Sequence, residues 1–186
     1  MNNPLNIPVI LGSSRPERQS EKAAVYIHKL LQKTLNVEAP LVDVRDFPLE
    51  YDDKVNQPKF HAIVMKADAF VLVFPEYNHG YPGKLKTLLD TGFNGYKHKP
   101  VVLTSVSSGS FGGIRAAELL TPVLTYIGLI VTGLNIQFPN IQDTFDEFGN
   151  PTDPKLEPRV QKTLEKLIYL TKVIKAGKEQ VSDVIT

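Results

Sequence analysis

Serine, arginine and tyrosine side chains on short loops are the groups of this chain best suited to chemistry. The first loop, Gly12-Ser13-Ser14-Arg15-Pro16-Glu17-Arg18-Gln19-Ser20, follows the apolar run Leu5 to Leu11 and precedes a helical pattern of Ala23, Ala24, Ile27, Leu30 and Leu31. At such a helix start, backbone N–H groups and the dipole point at an anion, hydroxyls donate to it and arginines neutralise it. The combination suits a phosphate, without the lysine of a P-loop. Ser13, Ser14 and Ser20 are also ordinary helix-capping types. Arg15 and Arg18 weigh against capping alone, because two arginines at a helix N-terminus oppose its dipole unless an anion is there.

The second loop leaves the run Ala69 to Phe74, which is short and β-branched enough to be a strand buried on both faces. It reads Pro75-Glu76-Tyr77-Asn78-His79-Gly80-Tyr81-Pro82. Aromatic faces and amide edges at the carboxyl end of such a strand suit a flat heterocycle. A lone histidine in a turn, such as His79, is ordinarily a solvated or hydrogen-bonding residue. Pro82 is expected to open a helix, where its missing N–H costs nothing. The third loop is Ser107-Ser108-Gly109-Ser110-Phe111-Gly112-Gly113. Its glycines serve either a tight turn or the close approach of a ring, whose polar edge Ser107, Ser108 and backbone N–H groups would meet. Arg115, just beyond, either adds to that site or points to solvent or a partner subunit.

Positioning these loops requires alternating strands and helices. Strands are expected at about 5–11, 37–44, 69–74, 100–106 and 130–137, and helices at about 17–33, 58–66, 82–92, 112–127 and 155–176. Alternation of this kind makes βαβ units and a parallel sheet. The Pro-rich stretch from Pro139 to Pro158 reads as a long surface loop, and residues 179–186 as a frayed tail beyond a single domain of residues 1–178.

Composition narrows the function classes. With 186 residues and 42% hydrophobic content, the chain is one domain with a sizeable core. A net charge of +1 carries no signal for nucleic acid. The absence of cysteine excludes a disulfide, a cysteine nucleophile and a thiolate metal site. The four histidines show no metal-ligand spacing. The start has no secretory pattern and no run is long enough to span a membrane, so a soluble cytoplasmic protein is expected. Gly80 to Lys84 does not satisfy G-x-x-x-x-G-K-[ST], no G-x-G-x-x-G follows a strand, and Gly109 to Gly112 is not G-x-S-x-G. P-loop, dinucleotide-fold and nucleophile-elbow readings therefore fail.

Three motifs in order, G-S-S-R-P-E-R-Q-S, P-E-Y-N-H-G-Y-P-G-K-L-K and S-S-G-S-F-G-G-I-R-A-A, make the chain resemble the NADPH-dependent FMN reductase family of flavin, quinone and azo-dye reductases. The resemblance covers about Val9 to about Leu134. It implies an α/β flavodoxin-like three-layer sandwich whose five-stranded parallel sheet has the order 2-1-3-4-5, with the switch point between the first and third strands. It implies bound FMN, with Ser13, Arg15, Arg18, Gln19 and Ser20 at the phosphate and Pro75, Glu76, Tyr77, Asn78, Ser107, Ser108 and Gly109 at the ring. The sequence departs from the shorter family variant G-S-x-R-x-x-S, with Arg18 where the serine would fall and Ser20 two residues later.

Hydride would pass from NADPH or NADH to flavin N5, and then to a quinone, free flavin, azo or similar acceptor in a ping-pong cycle. No side chain would be catalytic, because the cofactor carries the reaction. A positive helix end near the pyrimidine edge would stabilise reduced flavin. The resemblance also implies a homodimer on the helices after Pro82 and Gly113, and tetramers occur in the family. The alternative is an FMN-binding electron carrier or redox-responsive module without nicotinamide turnover. Near-neutral charge counts against a flavodoxin-type carrier, which is typically strongly acidic for docking on basic partners.

Overall fold

The computed structural model describes residues 3–47 and 57–180. Apolar alternation builds the sheet. In the strand Phe70–Pro75, the side chains of Val71 and Val73 face one core, and those of Phe70, Leu72 and Phe74 face the other. All are fully buried, and each contributes about 1.5–3 kcal/mol by leaving water. Helices cover both faces, which gives three layers. The helices α1 (Ser20–Gln32) and α6 (Leu156–Gln180) supply Ile27, Leu31, Val160 and Leu164 to one side. The helices α2 (Gln57–Lys66), α3 (Gly83–Asp90) and α4 (Ile114–Tyr126) supply Phe60, Leu85, Leu88, Leu120 and Leu124 to the other.

Every strand pairing among the described residues is parallel. The strand count differs from expectation, because three of the five expected strands are each split in two. The first becomes β1 (Leu5–Asn6) and β2 (Val9–Leu11), and the second becomes β3 (Val37–Glu38) and β4 (Leu41–Asp43). Pro8 and Pro40 stand at the two breaks, and neither has an N–H to give the ladder. β5 (Phe70–Pro75) and β6 (Lys99–Val106) are continuous. The last becomes β7 (Leu129–Val131) and β8 (Ile136–Phe138), separated by a turn in which Gly133 has φ +71°. The main sheet therefore runs β4-β2-β5-β6-β7, with β8 also on β6, while β1 and β3 pair separately.

Helical boundaries differ as well. Pro82 is the residue before α3, with ψ 133°, and Gly83 is the first helical residue. Its restriction on φ still aims the chain into the helix. α1 begins only at Ser20, because Glu17 takes φ +51° and keeps the preceding loop out of the helix. α6 continues to Gln180, past the expected end near Gly177, and residues 181–186 of the expected tail lie outside the described residues.

The stretch from Pro139 to Pro158 is more than a surface loop. It holds a short helix, α5 (Ile141–Thr144), and buries Ile141 and Phe145 in the core. Phe145 rests on Tyr26 at 5.3 Å and Phe138 at 5.7 Å between ring centroids, and that aromatic burial ties the segment down.

Candidate FMN site

Three loops leave the carboxyl ends of β2, β5 and β6, which are adjacent in the sheet. That edge is where open parallel sheets bind ligands. Gly12 N donates to Val73 O at 2.8 Å and Glu76 N to Val106 O at 3.0 Å, so the roots of the loops are joined before they diverge.

In the first loop the two arginines have separate roles. The Arg18 guanidinium is buried, its side chain only 1% exposed. Nη1 donates to Asp43 Oδ1 at 2.7 Å and to the Ser13 carbonyl, Nη2 donates to Asp43 Oδ2, and Nε reaches Glu21 at 3.3 Å. Burial alone would lower the pKa of Arg18 and raise that of Asp43. The Arg18–Asp43 hydrogen bonds and charge outweigh it, with Glu21 helping the arginine and Arg45 helping the aspartate. Arg18 is therefore pushed above its ordinary value, Asp43 is held below the usual carboxylate range, and both stay charged.

Arg15 is exposed and lies over the Tyr77 ring, with Cζ 4.3 Å from the centroid. Ser13 is fully buried, and its Oγ and the Tyr77 hydroxyl are 2.7 Å apart. The first two loops are therefore stitched by a hydrogen bond and a cation–π contact. Gln19 is exposed, precedes α1 and caps nothing with its side chain, donating instead to Glu17 O at 3.4 Å. Ser20 opens α1 with its Oγ buried and without a partner.

Tyr77 and Gly80 exchange backbone hydrogen bonds at 2.8 and 2.9 Å around Asn78 (φ +49°) and His79 (φ +66°). Positive φ at both central residues makes this a type I′ hairpin turn. Asparagine is among the few non-glycine residues that tolerate that region well. The turn presents Glu76, Asn78 and His79 to a cleft of about 260 Å³ whose other wall is Ser107, Ser108, Gly109, Phe111 and Arg115. Pro75 is buried within β5, beside Val106, and does not line the cleft. Arg115 turns toward the site: its Nη1 is 3.6 Å from Glu76 Oε1 and its guanidinium is 5.0 Å from the Phe111 centroid. Glu76 Oε2 is buried without a partner.

The glycines of the third loop divide by role. A Cβ on Gly113 (φ +81°) would meet Ser105 Cβ and the Val106 carbonyl at 2.9 Å, and one on Gly112 (φ +60°) would meet Gln137 at 2.9 Å. Both are demanded by the turn into α4. A Cβ on Gly109 would meet nothing within 4 Å, so that backbone lies open to the cleft. Ser107 Oγ donates to Gly109 O at 2.9 Å, and Gln142 Nε2 donates to Ser108 O at 3.4 Å.

The structure thus gathers Glu76, Asn78, Ser107, Ser108 and Gly109 at one cleft and links Ser13, Arg15 and Tyr77 beside it, while Arg18 turns inward. Two residues that sequence reasoning missed hold the first loop: Asp43, and Arg45, which donates to the Ser14 carbonyl at 3.4 Å and to the Arg15 carbonyl. The signal for them was the Asp-Val-Arg sequence at the end of a strand expected to neighbour the first. Among the described residues no His, Asp or Glu cluster fits a metal ion, and no helix is long and apolar enough to cross a membrane.

The chain is similar to several known proteins. A quinone reductase of Pseudomonas putida is 27% identical over 188 residues, covering 95% of this chain and 100% of that protein. A quinone reductase of Escherichia coli K12 is 32% identical over 143 residues, 70% of this chain and 75% of that protein. Among solved structures, the flavoenzyme NAD(P)H:(acceptor) oxidoreductase FerB from Paracoccus denitrificans superposes with a TM-score of 0.74 at 24% identity over 92% of this chain and 98% of that one. Oxidised flavodoxin 1 from Bacillus cereus gives 0.62 at 15% identity over 88% and 97%. These two structures establish a flavodoxin-like α/β fold. The model of the NADPH-dependent FMN reductase family matches residues 5–142, which carry all three loops, and on that match this chain is a member of that family of oxidoreductases.

Proposed function

We propose that the three loops bind FMN and that the protein is an NAD(P)H-dependent reductase of quinones, free flavins, azo compounds or similar acceptors. The observation that carries this is a pair of buried, unpartnered polar atoms, Ser20 Oγ at the helix start and Glu76 Oε2 at the cleft. A buried polar atom without a partner is costly, and a phosphate at one end and a hydrogen-bonding heterocycle at the other would satisfy both. The open backbone at Gly109 leaves room for a ring. Bound FMN would supply two-electron chemistry between a nicotinamide donor and the acceptor, in a ping-pong cycle.

The chain's own residues bind and orient. Ser13, Arg15, Gln19 and Ser20 hold the phosphate, and Arg18 shapes that loop from beneath through Asp43. The Tyr77–Asn78 turn and the Ser107–Gly109 backbone hold the ring, with Arg115 keeping Glu76 oriented. The positive end of α4 faces the same cleft and favours the more negative, reduced form of a bound flavin. We infer a cytoplasmic homodimer built on α3 and α4. A groove of about 640 Å³ lined by Leu89 of α3 and by Pro122, Val123 and the exposed Tyr126 of α4 offers the apolar surface. Light scattering at micromolar concentration tests the dimer, and a mass of 20.7 kDa with and without FMN would refute it. Steady-state oxidation of NADPH and NADH with a quinone, FMN being supplied, tests the activity. Turnover with at least one donor is expected, and none with either would overturn the reading.

A further inference from the structure

The ring cleft is one end of a run of clefts. Phe111 forms its wall and also the wall of a second cleft of about 150 Å³, lined by Ser110, Phe111, Asn135, Gln137, Pro139 and Arg159. Pro139 and Arg159 are shared in turn with a third of about 280 Å³ below α5. Each cleft thus shares lining residues with the next.

The middle cleft has the chemistry of a phosphate site. No carboxylate lines it, whereas Asp143 and Asp153 line the third cleft and would repel an anion there. Arg159, in the first turn of α6, is exposed and forms no ion pair among the described residues. Asn135 Oδ1 is buried without a partner, an acceptor waiting for a donor such as a hydroxyl. Phe111 is 64% exposed even with Arg115 against its ring. The volume is too small for a dinucleotide and sufficient for one of its phosphates. Arg159 also lies beyond residues 5–142, so this feature is not part of what the family match describes.

We propose that this cleft receives a phosphate of the donor dinucleotide, with Arg159 as its cationic partner and Asn135 as acceptor for an adjoining ribose hydroxyl. The inference rests on the reading that the protein takes electrons from a nicotinamide dinucleotide. That ligand is elongated, with its reactive ring at one end and its phosphates a fixed distance along the chain. A run of clefts leading from the ring site to an arginine without an ion pair among the described residues offers such a ligand a continuous path. Phe111 supplies an apolar shoulder between the two.

The test uses the full chain loaded with FMN, as wild type, Arg159→Gln and Arg159→Lys. Equilibrium titration with NADP+ is paired with steady-state kinetics on NADPH and NADH with benzoquinone as acceptor. Arg159→Gln is expected to raise the NADP+ Kd and the NADPH KM about tenfold, the lower end for a charge-assisted hydrogen bond, with kcat and FMN affinity held within about twofold. Arg159→Lys should recover part of the loss, because it keeps the charge without the fork. A Kd and KM within about twofold of wild type in Arg159→Gln would overturn the inference while leaving the reductase reading intact. A wild type that neither binds NADP+ nor oxidises either nucleotide would overturn both.

Discussion

The loop after β2 and the loops after β5 and β6 face one edge of the sheet, yet different forces hold them. The first is held by charge. Arg18, from the loop itself, is clamped on Asp43 at the end of β4, and Arg45 grips the loop's carbonyls from outside. The other two are held by backbone geometry, through a type I′ turn at Asn78-His79 and a left-handed pair at Gly112-Gly113. The chemistry proposed for each loop accounts for the contrast. A phosphate site has to present cations and N–H groups at a bare helix end, where self-repulsion is high, and an internal counter-ion offsets it. A ring site needs shape, which a hairpin and a glycine turn supply, and the Glu76–Arg115 ion pair there is looser, at 3.6 Å. The same residue type accordingly has two fates three positions apart: Arg15 lies free on an aromatic face, and Arg18 is buried structure.

The largest expected effect breaks the charge-held loop. Asp43→Asn leaves the buried Arg18 guanidinium with only the half-exposed Glu21 as counter-ion and should destabilise the fold by about 3 kcal/mol, measured by denaturant unfolding at neutral pH. The same ion pair sets a pH dependence. Asp43 has a depressed pKa in the folded state, so its contribution is fully present above the unfolded value of about 4 and is lost as pH falls through the folded one. Wild type and variant should therefore converge in acid. Parallel stability curves down through that window would show that the pair does not hold the loop.

Next in size is the backbone-held side. Gly113→Ala places a methyl group 2.9 Å from the Val106 carbonyl at φ +81°, and should cost about 2 kcal/mol with no dependence on acid pH. Thermal melts at two pH values would expose any hidden electrostatic part.

The third prediction sharpens the division between the arginines. Arg15→Ala should weaken FMN by about 1.5 kcal/mol while barely changing riboflavin, since it removes one charge-assisted bond to the phosphate. Fluorescence titration with both ligands decides it, and equal losses would remove Arg15 from the phosphate. Arg18→Ala should instead lower stability and weaken FMN only as the loop loosens.

The smallest effect concerns the hairpin turn. Asn78→Ala should cost about 1 kcal/mol, because alanine resists φ +49°, whereas Asn78→Gly should stay near wild type in the same unfolding assay. Equal losses in both would mean that the asparagine side chain, rather than its backbone, sets the turn.

How far the sequence reached depends on whether the causes were local. Runs such as Ala69 to Phe74 read as buried strands because their periodicity is written in consecutive residues, and the three loops were legible because turn-forming and hydroxyl residues cluster on them. Pro8 and Pro40 broke their strands for a reason equally local, a missing N–H, which the apolar pattern concealed. The aromatic anchoring of Phe145 was hidden, because its partners Tyr26 and Phe138 come from other segments.

By itself the sequence determined the class of sheet, the order of the motifs and the membership of the family, all of which rest on short-range residue patterns. Only the tertiary structure decided which arginine is exposed, which glycine is open, and that Asp43, Arg45 and Arg115 contact the three loops. Those outcomes hang on pairings between residues such as Arg18 and Asp43, 25 positions apart, or Glu76 of the second loop and Arg115 of α4. A guanidinium goes wherever a carboxylate desolvated by the fold can hold it, and no local spacing records where that carboxylate will be.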